Sequence, residues 1–327
     1  MILVTGASGY VGNNLVRRLV ELGKPVRAMV GNLDKALVRL GDVEPKIEIV
    51  KGDVTRPETL VEWMQGVEAV IHLVAISMEK GKRTYEAINT QGTINVVDAA
   101  KAAGVRRFIN MCQNGASANS PYRFLRSKGV AQEYVAQSGL DWTATRPTVI
   151  WGPQDEFANV QARLIKLTPI AFPIVGDGKA QFQPVYVGDV VEVLVSCVDD
   201  PSTIGHEYEL GGPEVLTYEE IVDRVLKALH TSRIKVHVPV GLLRPLVAIM
   251  QAVFPNPPVT TSLLDLLAVP NVVAENALVT RFNITPKPFT PDNLSYMRDF
   301  SLTTTLGKFF GRSLEEEKVR RAAMHKH

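Results

Sequence analysis

The chain has 327 residues, enough for one large core with an appended lobe. Hydrophobic residues make up 46% and charged residues 21%, an ordinary globular balance, and a net charge of +2 gives no concentrated basic face for nucleic acid. Cys112 and Cys197 stand far apart without metal-ligand spacing, which argues against a zinc site or a disulfide framework, and no apolar run reaches the roughly 18 residues of a membrane span.

The opening "MILVTGASGYVGNNLVRRLVELG" is the most informative stretch. Residues 2 to 4 are apolar and β-prone, and Gly6, Gly9 and Gly12 follow at three-residue spacing. Leu15, Val16, Leu19 and Val20 then fall on one side of a helix, with Arg17 and Arg18 toward water and Gly23 as its stop. "PVRAMV" reads as a second strand. This strand, glycine turn, helix, strand order is the setting a dinucleotide fingerprint requires. Gly6 permits the tight turn, Gly9 admits a pyrophosphate to the backbone, and Gly12 lets the helix pack close. Ser8, Tyr10 and Val11 complete the turn, and the amides at the helix start face the phosphates. An opening already inside a strand leaves no room for a leader, so the expected location is cytoplasmic, or peripheral to a membrane.

The second strand ends "MVGNLDKA", with Gly31 and Asn32 where an acid for the ribose 2′-hydroxyl would stand. Asp34 falls in the next helix. Without that acid a 2′-phosphate meets no repulsion, and Asn32 and Lys35 are candidates to contact it. NADP(H) is therefore favoured, with NAD(H) as the alternative.

Strand and helix signals keep alternating. "KIEIVKGDVT" is a strand, "RPETLVEWMQGV" a helix, "EAVIHLVA" a buried strand and "TYEAINTQGTINVVDAAKAAG" a long helix. "VRRFINMC", "RFLRSKGVAQEYVAQSG" and "DWTATRPTVIWG" continue the pattern. The reading is an α/β fold, a Rossmann-type doubly wound parallel sheet, with a smaller C-terminal α/β lobe. Asp53 and Val54, and Val74 and Ala75, end strands and are expected near the adenine and its ribose; sheet core is an equal alternative for the second pair. His72 reads as a satisfied core residue. Arg146 has two candidate partners, the pyrophosphate and a backbone carbonyl; Pro147 follows it, and Val149 is expected at the nicotinamide.

The expected domains are 1–155 with a returning segment at about 181–200, and a lobe of 156–180 and 201–327. Asp189 reads as a helix N-terminal acid. Thr217 and Glu220 form a capping box, and "RIKVHVPV" alternates like a half-buried strand. "GLLRPLVAIMQAVF" is read as a core-facing helix; the sharper alternative is a docking surface for a partner or a membrane face. The tail "SLEEEKVRRAAMHKH" is expected to be a solvated helix.

The strings "TGASGYVG", "GDVT", "NTQGTINVVDAA", "RSK", "ATRPTVIWGP" and "FQPVYVGDVVEVL" occur in the order seen in extended short-chain dehydrogenases/reductases, which the chain resembles over roughly residues 1–275. "YELGGPEVLTYEEIVDRVL" and "FPNPPVTTSLLDLLAVPNVV" resemble a narrower group, the atypical accessory subunit of respiratory complex I and its bacterial relatives. The resemblance implies an NADP(H)-binding Rossmann domain, a small lobe, and a protein partner or peripheral membrane complex.

An active member of this superfamily uses a Tyr four residues before a Lys, with a nearby Ser or Thr. On a helix that spacing brings both side chains to the same crevice, about 40° apart. Here Phe124 stands four residues before Lys128, and Tyr122 stands six before it, about 240° away on an ideal helix. Cys112 occupies the Ser position, with Asn114, Ser117 and Ser120 nearby. Two readings follow. One is a nucleotide-binding protein with little or no hydride transfer, in a structural, assembly or sensing role. The other is an oxidoreductase or epimerase that uses Tyr122 and Lys128.

Overall fold

The structure, a computed structural model, describes residues 1–257, 259–267 and 269–310. The charged tail 313–327 lies outside the described residues. Strands and helices alternate from the start: β1 (Ile2–Thr5), α1 (Tyr10–Glu21), β2 (Val26–Val30), α2 (Leu33–Leu40), β3 (Glu48–Lys51), β4 (Ala69–His72), α3 (Gly92–Ala102), β5 (Arg107–Met111), α4 (Arg123–Gln137) and β6 (Asp141–Pro147). The chain continues through β7 (Ile150–Trp151), α5 (Ala158–Leu167), β8 (Ala171–Val175), β9 (Gln181–Phe182), β10 (Val185–Tyr186), α6 (Val187–Asp199) and β11 (His206–Leu210). It ends with β12 (Leu216–Thr217), α7 (Tyr218–Ala228), β13 (Ile234–Val238), α8 (Val240–Val253), α9 (Thr261–Leu267), α10 (Ala277–Thr280) and α11 (Leu302–Phe309).

Two compact units result. The first comprises Met1–Pro147, Val187–Leu210 and Val273–Thr285; the second comprises Thr148–Tyr186, Gly211–Val272 and Pro286–His327. These boundaries differ from the expected 1–155, 181–200, 156–180 and 201–327. The reason is pairing: β11 joins β6 in parallel at the edge of the first unit's sheet, and α10 packs on β11, so both stretches return to that unit.

The first unit is a seven-stranded sheet in the order β11-β6-β5-β4-β1-β2-β3, with every pairing parallel. This is the expected Rossmann-type architecture. Its central strands β1, β2 and β4 are nearly continuous buried runs because helices flank the sheet, α1 packing on α6 and α3 on α4. Leu3, Val70 and Phe108 of the sheet meet Val96 and Val97 of α3 and Val135 of α4 in one buried cluster. Strand order reverses between β1 and β4, and such a switch point opens a crevice at the strand C-terminal ends.

Two expected helices take other forms. The stretch after β3 is only two short 3-10 turns, Pro57–Thr59 and Glu62–Met64. Thr59 Oγ1 donates to Arg56 O, and Arg27 takes the carbonyls of Trp63 and Gln65, so those groups are satisfied without a longer helix. The long helix before β5 starts with a π-helical turn, Glu86–Gln91, that runs into α3.

The second unit has its own core, in which Trp151 meets Phe289 and Phe172 and Ile174 lie among Ile221, Val222 and Val225 of α7. Thr217 caps α7, accepting from the Glu220 amide at 3.2 Å while Glu220 accepts from the Thr217 amide at 2.7 Å. Among the described residues no helix is long and apolar enough to cross a membrane.

Candidate functional site

At the C-terminal end of β1 the chain turns through Gly6, whose φ of +72° suits glycine. A Cβ on Gly6 would stand 3.2 Å from the Val74 nitrogen, just past β4, so the glycine turn and the chain leaving β4 pack backbone against backbone at the base of the crevice. A Cβ on Gly12 would stand 2.2 Å from the Gly6 oxygen, and one on Gly9 2.9 Å from the same atom. The first turn of α1 thus rests on the glycine turn with no room for a side chain. Ser8, Val11 and Gly12 are buried there, and Tyr10 is half-buried. Helix α1 opens at Gly9 with no side-chain cap and no acid in its first turn, so its partial positive charge faces outward uncompensated. This cradle fits a dinucleotide pyrophosphate: a helix start with no side-chain cap, no acid in its first turn and no Cβ in the way.

Around the turn the fold spends polar groups inside the protein. His72 is buried; its Nδ1 lies 2.8 Å from Thr5 Oγ1 and its Nε2 3.0 Å from Thr93 Oγ1. Thr93 donates its own hydroxyl proton to Asn89 O at 2.7 Å, so it accepts from His72 Nε2–H and leaves Nδ1 to accept from Thr5. Burial, and then the Lys128 charge, hold His72 neutral by pushing its pKa down to about 3. It is a satisfied core residue.

The remaining cofactor candidates scatter. Asn32 caps α2, its side-chain oxygen accepting from the Lys35 amide at 2.8 Å, and both residues are exposed at the end of β2. Asp53 folds back on its own loop, Oδ1 accepting from the Thr55 amide at 2.9 Å and its hydroxyl at 2.8 Å. Val54 is buried in the core: its Cγ2 would lie 2.7 Å from a Cβ on Gly92, and its carbonyl accepts from Asn95 at 2.7 Å. Val74 is half-buried beside Gly6 and Ala75 is exposed beyond it. Arg146 donates to Ala116 O at 2.6 Å and pairs with Glu207, so a backbone carbonyl and a carboxylate hold its fork. Pro147 ends β6 and accepts the Asn114 amide at 3.0 Å. Val149 belongs to the second unit, where its amide donates to Asn271 at 2.7 Å.

Helix α4 begins at Arg123, with Tyr122 as its extended N-cap residue. Phe124 and Lys128 both lie within it. The Phe124 ring packs edge-on against Tyr85 with centroids 5.6 Å apart, and Tyr85 is buried with its hydroxyl donating to Ser77 O at 2.9 Å. Lys128 is buried; its Nζ donates to Met111 O at 2.7 Å, and burial lowers its pKa from the ordinary lysine range. Cys112 is beside it, Sγ 3.7 Å from Lys128 O, and burial raises its thiol pKa, which suits an inert filler.

Sequence reasoning missed Asn89. It sits in the π-helical turn, fully buried, accepting from the Ile76 amide at 2.8 Å and donating to Ser127 Oγ at 3.1 Å. Thr90 Oγ1 adds a bond to Ser127 O at 3.0 Å. This pins the turn before Lys128 to the loop after β4. The polar string "NTQGT" inside an otherwise apolar helix was the available signal, since a buried Asn there must find partners. The structure therefore brings the glycine turn and Val74 together, and Lys128 with Cys112, while the Asn32 and Asp53 side chains are held by local bonds and Arg146 by the remote Ala116 and Glu207. Among the described residues no cluster of His, Cys, Asp and Glu is arranged for a metal.

Residues 6–201, more than half of the chain, match the model of the NAD(P)H-binding family. Subunit 9 of the NADH dehydrogenase [ubiquinone] 1 alpha subcomplex, mitochondrial, of Arabidopsis thaliana is 33% identical over 228 residues, 67% of this chain and 56% of that protein. The chain thus spans under two thirds of that relative's length. A 3 beta-hydroxysteroid dehydrogenase/Delta 5-->4-isomerase of Mycobacterium tuberculosis is 28% identical over 266 residues, 69% of each chain. Among solved structures, a dTDP-glucose 4,6-dehydratase from Bacillus anthracis in complex with NAD superposes with a TM-score of 0.70 at 18% identity, covering 95% of this chain and 98% of that one.

Proposed function

The chain belongs to the NAD(P)H-binding family, within the short-chain dehydrogenase/reductase superfamily, and from that premise we propose that it holds NADP(H) chiefly as a bound ligand, with hydride transfer weak or absent. The observation that carries this reading is Phe124. It stands where the acid of an active member would be, four residues before Lys128, and its ring has no proton to give. Tyr122 precedes the helix, and Cys112 is a weak donor in place of a serine. The glycine turn, in which a Cβ on Gly9 or Gly12 would press on the Gly6 oxygen, supports the dinucleotide part of this reading. Gly6, Ser8, Gly9, Tyr10, Val11 and Gly12 would hold the pyrophosphate. Val54, Val74 and Ala75 would border the adenosine, and Lys128 the nicotinamide ribose, with Arg146 and Pro147 as further candidates of the same unit. When bound, the cofactor would supply a redox-active nicotinamide.

Preference for NADP(H) rests on the Gly31–Asn32 end of β2. The Asn32 oxygen is taken by the Lys35 amide, which leaves its NH₂ as a donor and no carboxylate to repel a 2′-phosphate. Likeness to the plant relative, a mitochondrial NADH dehydrogenase subunit by name, supports a structural or assembly role within a larger complex. Asp53 is bonded within its own loop and is the weakest of the adenosine candidates.

The mycobacterial relative favours a second reading, an oxidoreductase or epimerase in which Tyr122 swings toward Lys128. Mass spectrometry and fluorescence of the co-purified nucleotide separate the two. A bound NADPH whose signal persists across a panel of carbonyl substrates supports the first. Steady consumption that disappears in Tyr122→Phe supports the second, and a preparation that binds neither pyridine nucleotide overturns both.

A further inference from the structure

In the second unit, β13 pairs in parallel with β8 alone among the described residues. The Ile234 amide donates to Ile170 O at 3.0 Å, so by the alternation of a strand the N–H and C=O of Lys235 and His237 point away from β8 along an open edge. The edge carries no proline, and none of its residues is turned inward to blunt pairing. The two faces of this small sheet are also unlike. Phe172 and Ile174 enter the core, whereas Ala171, Pro173, Ile234 and Val236 form an outer face that is wholly apolar and exposed, 64% for Ile234 and 45% for Val236.

Helix α8 begins one residue later, after Pro239. Leu242, Leu246, Ile249 and Val253 lie within about 60° of arc and are exposed by 71%, 54%, 62% and 64%. With Ile170, Ile234 and Val236 these seven side chains together expose an area comparable to the roughly 800 Å² that each partner contributes to a stable interface. The cations nearby are already engaged: Lys235 with Glu219 and Asp223, Arg244 with Asp265, and Arg233 with backbone oxygens. An anionic lipid surface asks for free basic groups around such a patch.

We propose that this surface is the interface of a homodimer. A two-fold axis beside Val236 sets β13 antiparallel to the partner copy's β13. Lys235 and His237 then exchange main-chain hydrogen bonds across the axis, and the two copies' β8 strands flank a four-stranded sheet. Val236 meets its symmetry mate on the apolar face, and α8 of each copy extends the contact. The salt bridge of Lys235 and the hydrogen bond of His237 to α7 lie on the other face and stay intact.

Light scattering of the full chain at micromolar concentration tests this. The expected mass is twice 35.9 kDa. Val236→Lys sets like charges across the axis, and His237→Pro removes an outward donor; each weakens the dimer at least about 100-fold while dinucleotide binding and melting temperature hold. Slow amide exchange at Lys235 and His237 in the wild type, fast in Val236→Lys, locates the contact independently of whether any variant folds. A wild-type chain that stays monomeric overturns the proposal. So does a dimer that survives Val236→Lys, or a monomer that pelts down with phosphatidylcholine vesicles through Leu242 and Ile249.

Discussion

Lys128 in the first unit and Leu242 in the second both defy ordinary burial, in opposite directions. The lysine carries its ammonium into the interior beside the strand ends, with Met111 O as its hydrogen-bond acceptor. The leucine stands 71% exposed on a helix that buries only Val247. A buried ammonium is kept where a ligand's hydroxyls or charge can meet it; an exposed apolar stripe is kept where another surface can cover it. As proposed, the first unit serves a small molecule and the second a contact with another copy of the chain.

The sharpest way to break that contrast is to put a tyrosine at position 124. Phe124→Tyr places a hydroxyl four residues before Lys128, and we expect NADPH oxidation with a reducible carbonyl to rise by about 10²- to 10⁴-fold. If wild-type turnover is already fast and Phe124→Tyr changes nothing, the first unit is a working oxidoreductase by another route.

Acid separates the units next. His72 has a folded pKa of about 3 against an ordinary 6.5. The unfolded chain takes the proton first, so its contribution is complete above pH 6.5 and is lost as pH falls toward 3, about 5 kcal/mol in full. Asp155 of the second unit is the reverse: burial lifts it to about 6 from 3.8, against the amides of Gly152, Phe157 and Asn159 that bond it. The unfolded chain ionises first, so the second unit loses about 3 kcal/mol as pH rises from 3.8 to 6. Amide exchange corrected for intrinsic rates, compared at the two ends of that window, should show the first unit loosened by acid and the second tightened. Parallel behaviour of both would refute the assignment.

Gly12→Ala should weaken NADPH binding about 100-fold by isothermal titration, because its Cβ meets the Gly6 oxygen at 2.2 Å. Exchange protection of α7 in the second unit should be unmoved. The smallest change is Asn32→Asp, expected to shift the NADPH-to-NADH affinity ratio about tenfold toward NADH by restoring repulsion against a 2′-phosphate. An unchanged ratio would mean that β2 does not read the ribose.

What could be read in advance followed the range of the forces involved. The glycine turn, the Thr217–Glu220 box and the alternating strands are local, so spacing alone reveals them. The 3-10 turns at residues 57–64 defeated helical periodicity because Arg27, remote in sequence, takes the carbonyls of Trp63 and Gln65. Helix α8 was read as core-facing, and the structure exposes it. Periodicity identifies an apolar stripe but not what lies opposite. The same holds for β13, whose alternation is present with its apolar phase turned outward. Asn89 escaped notice because its partners, Ile76 and Ser127, are 13 and 38 residues away.

The sequence by itself determined the alternation of strands and helices, the glycine turn at the start of α1 and the absence of a tyrosine four residues before Lys128, since each depends on neighbours within a turn or two of chain. Only the tertiary structure decided that His72 is held neutral between two threonines, that Arg146 is spent on Ala116 and Glu207, and that β13 and α8 face water. Burial and pairing are properties of chain segments brought together from afar, and no local pattern encodes which of them will meet.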